Sequence, residues 1–427
     1  MTIPQHSLSD EPFSADPLAH IPPPAERRLA LRVTPAAQRA LRQGHPWLFD
    51  QAITAQSAEG QPGDLAVIFD DHRHFLAIGL YDPTSPLRVR VLRHGARAPI
   101  DNVWLRDKLA TAAARRAALP AADTTGYRLV HGENDGLPGL VIDRYADILV
   151  AKLDSLAWVT HLADLRAALA EVCPANGLVL RLSRALLRQP AYLYGLRDGD
   201  TLAGTPPPGG VVSFRENGLR FEADVRQGQK TGFFLDQRDN RARVETLAAG
   251  RRTLNVFAYS GGFSLYAARG GAPEVWSLDA SEPAIRAAER NFALNRHIPA
   301  VAAAAHRVLV ADAFVALADL GRRGQSFDLL ILDPPAFARR AETVSAALAA
   351  YARLTTLALG VLTPGGILVT ASCSSRVSAD DFFAAVNQAA ARLGRPLAEI
   401  LRTGHPVDHP VGFAEGAYLK CLFAHAP

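Results

Sequence analysis

The sequence is poor in cysteine, lysine and methionine, and it contains no long apolar run. Three cysteines in 427 residues lie far apart, without a CxxC or His-Cys spacing, which argues against a disulfide framework and against a metal site. No stretch approaches the roughly 18 uninterrupted apolar residues that a membrane helix requires. We therefore expect a protein of a reducing compartment that has no membrane partner.

The first 26 residues contain no lysine or arginine, although they carry four acids and a run of three prolines. They lack both the charged start and the apolar centre of a secretory signal peptide. We predict a disordered tail over residues 1–26 and a cytoplasmic location.

The scarcity of lysine also weakens the basic charge as evidence for a nucleic-acid partner. The net charge is +4, from 46 basic and 42 acidic residues, and without the four acids of the tail it becomes +8. Such an excess suits a polyanion such as RNA. However, only four of the 46 basic residues are lysines, and the abundant alanine and proline are typical of a high-GC coding bias. Arginine enrichment alone is therefore weak evidence for nucleic acid.

The length corresponds to roughly two to four domains. Short alternating segments over residues 27–97 predict a small β-barrel, and residues 98–125 have the helical spacing of a connector. Residues 126–204 predict a small α/β domain. From residue 205 to 427, apolar strands alternate with alanine-rich helices, which predicts an α/β fold with a doubly wound, mostly parallel sheet.

Two local predictions concern the middle of the chain. Residues 157–172 have the pattern of an amphipathic helix, and residues 195–210, which end in three prolines and two glycines, predict a turn-rich linker. The last domain would begin within this linker, at residue 205.

Polar residues follow successive apolar strands of the last domain, and in an open α/β sheet a ligand lies beyond these strand ends. Gly261 and Gly262 end the first strand and let the backbone approach a ligand. Asp279 ends the second strand, where a carboxylate can accept both hydroxyls of a ribose, and Asp312 ends the third, within reach of an adenine amine. Asp333 ends the fourth and opens an Asp-Pro-Pro loop.

An acid about 20 residues after a glycine turn fits NAD as well as S-adenosylmethionine. The GxGxxG pattern that cradles a pyrophosphate is missing, and the Asp-Pro-Pro loop is present. These two features favour S-adenosylmethionine as the cofactor.

Cys373 follows the next strand and lies among small polar residues, where amides and hydroxyls can stabilise a thiolate. This position predicts a nucleophile. Cys173, on the apolar face of a predicted helix, and Cys421, within a predicted strand, are expected to be core residues.

From Leu29 onward the chain resembles the bacterial large-subunit rRNA (cytosine-5) methyltransferase family of the RlmI type, in which a PUA domain and a small α/β domain precede a class I methyltransferase domain. The motifs that carry the resemblance occur in the same order, at residues 44–49, 132–139, 142–144, 230–238, 333–335, 372–374, 408–410 and 415–420.

The resemblance implies roles for individual residues. The cofactor would be covered by the segment 230–238 and held by the loop after the first strand and by the acids that follow. The residues concerned are Lys230, Thr231, Phe233, Asp236, Gln237, Arg238, Phe257, Tyr259, Gly261, Asp279, Asp312 and Asp333. Asp333 would also lie beside the target base, Cys373 would be the nucleophile, and the substrate would be 23S rRNA.

Several alternatives remain open. Uridine carbon-5 methyltransferases also combine such a cysteine with an Asp-Pro-Pro loop. Amino methyltransferases need no cysteine, but their loop places an aromatic residue directly after the prolines, where this chain has Ala336. An RNA-binding protein with a vestigial methyltransferase domain is a further hypothesis, which the retained carboxylates and Cys373 oppose. For the oligomeric state of the protein, the hypothesis is a homodimer.

Two further expectations concern the substrate. The N-terminal domain is expected to dock RNA by phosphate contacts, through Arg39, Arg42, Arg88, Arg90 and Arg93. Glu415 is a candidate for the base that removes the carbon-5 proton, with a neighbouring carboxylate or a water molecule as alternatives, and a surface turn is the preferred interpretation of this residue. The turn at His409-Pro410 is interpreted as a loop brace.

Overall fold

The structure, a computed structural model, describes residues 16–338 and 340–427. Residues 1–15 of the predicted disordered tail lie outside this part. The remainder of that tail differs from the prediction, because Leu18 is buried in the core of the middle domain and Asp16 accepts two hydrogen bonds from Arg166.

The N-terminal domain is one six-stranded sheet with one helix. Its elements are β1 (Leu29–Val33), α1 (Pro35–Arg42), β2 (Trp47–Phe49), β3 (Ile53–Gln56), β4 (Leu65–Phe69), β5 (Phe75–Tyr81) and β6 (Leu87–His94). The strand order is β2-β6-β5-β4-β1-β3, in which only β1 and β4 are parallel. Alternate residues of β1 are buried, as expected for a sheet with one face on a core.

The middle domain follows two connecting helices. The elements are α2 (Asn102–Arg115), α3 (Ala118–Ala121), β7 (Gly126–His131), β8 (Leu140–Tyr145), β9 (Ile148–Leu153), α4 (Leu162–Val172), β10 (Gly177–Leu182) and β11 (Thr201–Gly204). The sheet order is β11-β10-β9-β8-β7. Both local predictions need correction here. The predicted helix over 157–172 begins as a 3-10 turn, Leu156–His161, in which Trp158 donates to the Pro138 carbonyl. The predicted linker over 195–210 contains β11, which pairs with β10.

A hairpin leads into the large C-terminal sheet. The elements are β12 (Val211–Glu216), β13 (Leu219–Asp224), α5 (Arg238–Leu247), β14 (Thr253–Val256), α6 (Gly262–Arg269), β15 (Glu274–Asp279), α7 (Glu282–Leu294), α8 (Pro299–Ala303), β16 (Ala305–Val310), α9 (Ala313–Arg322), β17 (Phe327–Leu332), α10 (Val344–Leu359), β18 (Leu362–Ser372), α11 (Ala379–Arg392), β19 (Ala398–Thr403) and β20 (Lys420–Ala426).

The seven-stranded sheet has the order β16-β15-β14-β17-β18-β20-β19. Strands β14 to β18 are parallel, whereas β20 runs antiparallel to β18 and β19. The chain moves outward from β14 to β16 and then returns to β17, so the strand order reverses between β14 and β17. This arrangement confirms the predicted doubly wound α/β fold and puts the switch point beside Asp333.

The middle and C-terminal domains share a core. Tyr145 and Val150 of the middle sheet pack in one apolar cluster with Phe214, Phe221 and Phe233 of the C-terminal domain. The rings of Tyr145 and Phe214 lie 5.1 Å apart.

The segment between β19 and β20, residues 404–419, contacts all three domains. The Asp408 carboxylate is buried and pairs with Arg238, and it also accepts from the Arg128 amide. Phe413 packs on Trp47 of the N-terminal domain, at 5.1 Å between ring centroids. This geometry favours the predicted brace.

Among the described residues, no helix combines the length and the apolar character that crossing a membrane would require.

Candidate active site

The loop after β14 has an unusual backbone. Phe257, Tyr259 and Gly261 have φ angles of 62°, 48° and 77°, in the left-handed region that residues with a side chain seldom adopt. At Gly261 a Cβ atom would lie 2.7 Å from the Cβ of Ala288, so glycine allows this loop to pack on α7. Strain of this kind is held only where the surrounding structure requires it, and it is frequent at ligand sites.

Asp279 and Asp312 lie at the ends of the next two strands, as predicted. Asp279 accepts from the amides of Tyr259, at 2.8 Å, and Ser281, at 2.9 Å. Each of its oxygens keeps a second lone pair for a ribose hydroxyl. Asp312 uses Oδ1 to cap α9, where it accepts from two amides, and Oδ2 takes no part in the cap.

One side chain of this loop offers an unused polar group to a ligand. Ser260, which sequence reasoning missed, is 4% exposed, and its hydroxyl has no hydrogen-bond partner among the described residues. A buried hydroxyl without a partner is costly, and a polar ligand would satisfy it. Ser260, Gly261 and Asp279 thus form a polar edge at the switch point, where bound S-adenosylmethionine would supply an electrophilic methyl group.

Two side chains donate hydrogen bonds to Asp236, which is buried. Its Oδ2 atom accepts from Lys230, at 3.0 Å, and from the Tyr418 hydroxyl, at 2.9 Å. The Lys230 ammonium also lies 4.4 Å from the centroid of the Phe234 ring. Burial opposes the ionisation of Asp236, but Lys230 and the other positive neighbours hold its pKa well below the usual range. Asp236 is therefore a fixed negative charge in the site.

Three residues predicted to bind the cofactor point elsewhere. Thr231 is buried and bonds to Asp143 and Tyr145 of the middle domain. Phe233 lies in the shared apolar core, and Arg238 forms a two-bond ion pair with Asp408. These side chains position the segment 230–238, because their partners hold it against two other parts of the chain.

Asp333 lies at the end of β17, and its Oδ1 atom accepts from Gln237 Nε2 at 2.8 Å. Burial and, after it, the neighbouring Asp236 raise the pKa of Asp333 to about 7, against the opposing effect of the bond from Gln237. A carboxyl group with this pKa can donate or accept a proton near neutral pH. Gln237, which is also predicted to contact the cofactor, bonds through its side chain to Asp333.

Cys373 follows β18, next to the strand that carries Asp333. It is half-buried, and its Sγ atom lies 3.9 Å from the Pro334 carbonyl oxygen. Burial, opposed in part by the Lys230 ammonium, raises the thiol pKa to about 11. Cys173 and Cys421 are buried, as predicted for core residues.

Two neighbours of Cys373 had been assigned no role. Tyr351 of α10 bonds to the Ser372 hydroxyl at 2.8 Å. Lys420 donates to the carbonyls of Ser374 and Val377, and burial lowers its pKa to about 8. One signal could have identified Lys420 and Tyr418. An antiparallel strand begins at the edge where its parallel neighbours end, so the start of β20 belongs to the same edge.

Glu415 lies outside this cluster. It is exposed, and its carboxylate is 3.7 Å from His45 of the N-terminal domain. This position agrees with the surface turn that was the preferred interpretation.

The arginines of the N-terminal domain differ in exposure. Arg39, Arg42 and Arg93 are exposed, although Arg42 pairs with Asp70, whereas Arg88 is half-buried and faces Asp50. The prediction that Arg90 contacts RNA is wrong, because its side chain is buried between two domains and points toward the Asp154 carbonyl.

Comparison with known proteins gives consistent matches over the chain. Residues 127–423 match the family described as S-adenosylmethionine-dependent methyltransferase, and residues 31–94 match the PUA-like domain. A Deinococcus radiodurans protein named ribosomal RNA large subunit methyltransferase is 52% identical over 401 residues, 93% of this chain and 97% of that protein. A Tolumonas auensis protein named ribosomal RNA large subunit methyltransferase I is 36% identical over 393 residues, 91% of this chain and 97% of that protein.

Solved structures share the fold. One from Streptococcus mutans, described as a SAM-dependent methyltransferase, has a TM-score of 0.78 at 22% identity and covers 93% of this chain and 99% of its own. A methyltransferase complexed with SAH has a TM-score of 0.79 at 22% identity, with the same coverage. The matches confirm the resemblance, the fold and the cofactor that the sequence predicted. The chain therefore belongs to the family of S-adenosylmethionine-dependent methyltransferases and carries a PUA-like domain ahead of the part that matches that family.

Proposed function

We propose that this enzyme methylates carbon 5 of cytosine in the RNA of the large ribosomal subunit, and that Cys373 is the nucleophile. The relatives from Deinococcus radiodurans and Tolumonas auensis, whose names state the large-subunit RNA, support the substrate. The observation that carries the chemistry is the position of Cys373, a half-buried thiol 3.9 Å from the carbonyl of Pro334, which follows Asp333 directly.

A thiol is needed because carbon 5 of a pyrimidine is a weak nucleophile. When the Cys373 thiolate adds to carbon 6, the electrons of the double bond move to carbon 5, which can then accept the methyl group. Loss of the carbon-5 proton afterwards restores the double bond and expels the thiolate. Bound S-adenosylmethionine would supply the methyl group.

The neighbours of Cys373 suit this sequence of steps. The Lys230 ammonium lowers the thiol pKa against the effect of burial, and it thereby favours the thiolate. Asp333 can donate a hydrogen bond to ring nitrogen 3 when it is protonated, and this bond stabilises the charge that the addition places on the ring. Asp279, Asp312, Phe257, Tyr259 and Gly261 would hold the cofactor.

The experiment is covalent trapping on transcribed 23S rRNA that contains 5-fluorocytosine. Fluorine at carbon 5 cannot leave as a proton, so the adduct with Cys373 should persist and migrate as a protein-RNA complex on a denaturing gel. Cys373→Ala should lose both the adduct and turnover but keep cofactor binding, whereas Cys173→Ala should form the adduct like the wild type. Methylation by Cys373→Ala at the wild-type rate would overturn the covalent mechanism and favour amino methylation. Trapping by 5-fluorouracil alone would favour uridine as the target.

A further inference from the structure

A chain of side-chain hydrogen bonds ends on Asp333. The Thr403 hydroxyl donates to Asn240 Oδ1 at 2.5 Å, and Asn240 Nδ2 donates to Gln237 Oε1 at 2.6 Å. Gln237 Nε2 then donates to Asp333 Oδ1 at 2.8 Å. Gln237 and Asn240 are 3% and 1% exposed, so water does not compete for these bonds. We call these four residues the relay.

The hydrogen bonds of the relay are all donated in the same direction, from Thr403 toward Asp333. The oxygen of a carboxamide only accepts and its nitrogen only donates. Because the oxygen of Gln237 is occupied by Asn240, Gln237 presents an N–H group to Asp333. Oδ1 of Asp333 is therefore held as an acceptor, and a proton on this carboxyl group resides on Oδ2. In the described residues, Oδ2 has no hydrogen-bond partner.

The charges around Asp333 keep both of its states accessible. Burial and Asp236 favour the protonated form, whereas the bond from Gln237 and the charges of Lys230 and Arg241 favour the carboxylate. The other titratable groups that face it are those of Cys373, Tyr351 and Cys421.

The two pyrimidines differ at the ring atom that would meet Oδ2. Nitrogen 3 of cytosine is an acceptor, whereas nitrogen 3 of uracil carries a proton and is a donor. A protonated Oδ2 therefore pairs with cytosine, but with uracil two donors face each other. A site built around one hydrogen bond rejects a partner that leaves its polar groups unpaired.

We propose that Gln237 is a positioning residue that determines specificity for cytosine over uracil, because it holds Asp333 with its donor oxygen toward the base. This inference rests on the proposed cytosine carbon-5 function. Gln237 acts through Asp333 and needs no contact with the RNA.

The substitution Gln237→Glu tests the direction of the relay. Glutamate has the same shape and can still accept from Asn240, but it presents an oxygen instead of an N–H group to Oδ1 of Asp333. The shared proton then lies between the two carboxyl groups, and Oδ2 becomes an acceptor, which suits nitrogen 3 of uracil. The matched control is Asn387→Asp, which makes the same amide-to-carboxylate change at an exposed pair with Glu399.

The measurement is the yield of covalent complex with 23S rRNA transcripts containing either 5-fluorocytosine or 5-fluorouracil. We expect the wild type and Asn387→Asp to prefer the cytosine transcript, and Gln237→Glu to lose about tenfold of this preference, the effect of one misplaced hydrogen bond. We also expect the pH optimum of trapping to change only in Gln237→Glu. Calorimetry with S-adenosylmethionine reports whether each variant is folded.

Each outcome decides one claim. An unchanged preference in a Gln237→Glu enzyme that binds the cofactor overturns the inference. If that variant does not bind the cofactor, Thr403→Val decides, since it removes the outer bond of the relay and should reduce the preference about twofold to threefold. Unchanged preference in Thr403→Val then overturns the inference. A wild type that forms no complex with the cytosine transcript overturns the proposed function itself.

Discussion

Replacing Asp333 by asparagine should stabilise the folded protein above neutral pH, although it should impair the reaction. Burial and the nearby Asp236 raise the pKa of Asp333 from the ordinary value of 3.8 to about 7. The folded state therefore holds a carboxylate that it disfavours. Asparagine keeps the oxygen that accepts from Gln237 and removes the charge.

The sign and the size of this change in the free energy of unfolding follow from the pKa of Asp333 in the unfolded and in the folded chain. Below pH 3.8 the carboxyl group is protonated in the folded and the unfolded chain, so it adds no penalty. As the pH rises the penalty grows, and it is complete above about pH 7. The change in pKa corresponds to about 4 kcal/mol as an upper limit, and since Asp333 is partly exposed we expect about 1–3 kcal/mol.

The assay is urea denaturation of wild type and Asp333→Asn at pH 5, 7 and 8.5. The gain from Asp333→Asn should be roughly a third of its full value at pH 5 and should reach its full value at pH 8.5. Asp236→Asn is the matched control of opposite sign, because the positive neighbours of Asp236 lower its pKa and that substitution should destabilise the protein at pH 7. A loss of stability in Asp333→Asn at pH 8.5, or a gain that does not vary with pH, would refute this reasoning.

Three further predictions concern binding and reactivity. Asp279→Ala should weaken the binding of S-adenosylmethionine by about 1.5–3 kcal/mol, measured by calorimetry, and an unchanged Kd would remove this residue from the ribose site. Lys230→Met should raise the pKa of the Cys373 thiol further, so alkylation of that cysteine by iodoacetamide at pH 9 should slow in peptide mass spectrometry. Equal rates in wild type and variant would show that the ammonium does not act on the thiol. The double substitution Arg42→Ser and Arg93→Ser should weaken RNA binding and flatten its dependence on salt, with cofactor affinity unchanged. Full RNA affinity in this variant would place the docking surface elsewhere.

The strand ends of the catalytic sheet could be predicted because local sequence determines them. An apolar run that stops at an acid marks both the strand and its edge, which is why Asp279, Asp312 and Asp333 were found before the structure. The fold class followed from the same alternation of strands and helices. Residues that are neighbours in the sequence were sufficient to predict both the strand ends and the fold class.

The roles of Thr231 and Arg238 could not be read in this way, because their partners are far away in the chain. Thr231 bonds to Asp143, 88 residues earlier, and Arg238 pairs with Asp408, 170 residues later. A motif shows that such residues occur together but not which way their side chains point. Gln237 lies between them and points into the site, so neighbours in one motif have different partners.

Because the middle and C-terminal domains share a core, the boundary between them near residue 204 does not separate two independent folding units. Gly126 of the middle domain lies so close to the Phe214 ring that an added Cβ atom would come within 2.1 Å of it, so the two domains meet without intervening space. A protein cut at this boundary would expose Tyr145, Phe214 and Phe221 to water. The two segments are therefore separate in sequence but should melt in one cooperative transition, and each alone should aggregate when it is expressed without the other.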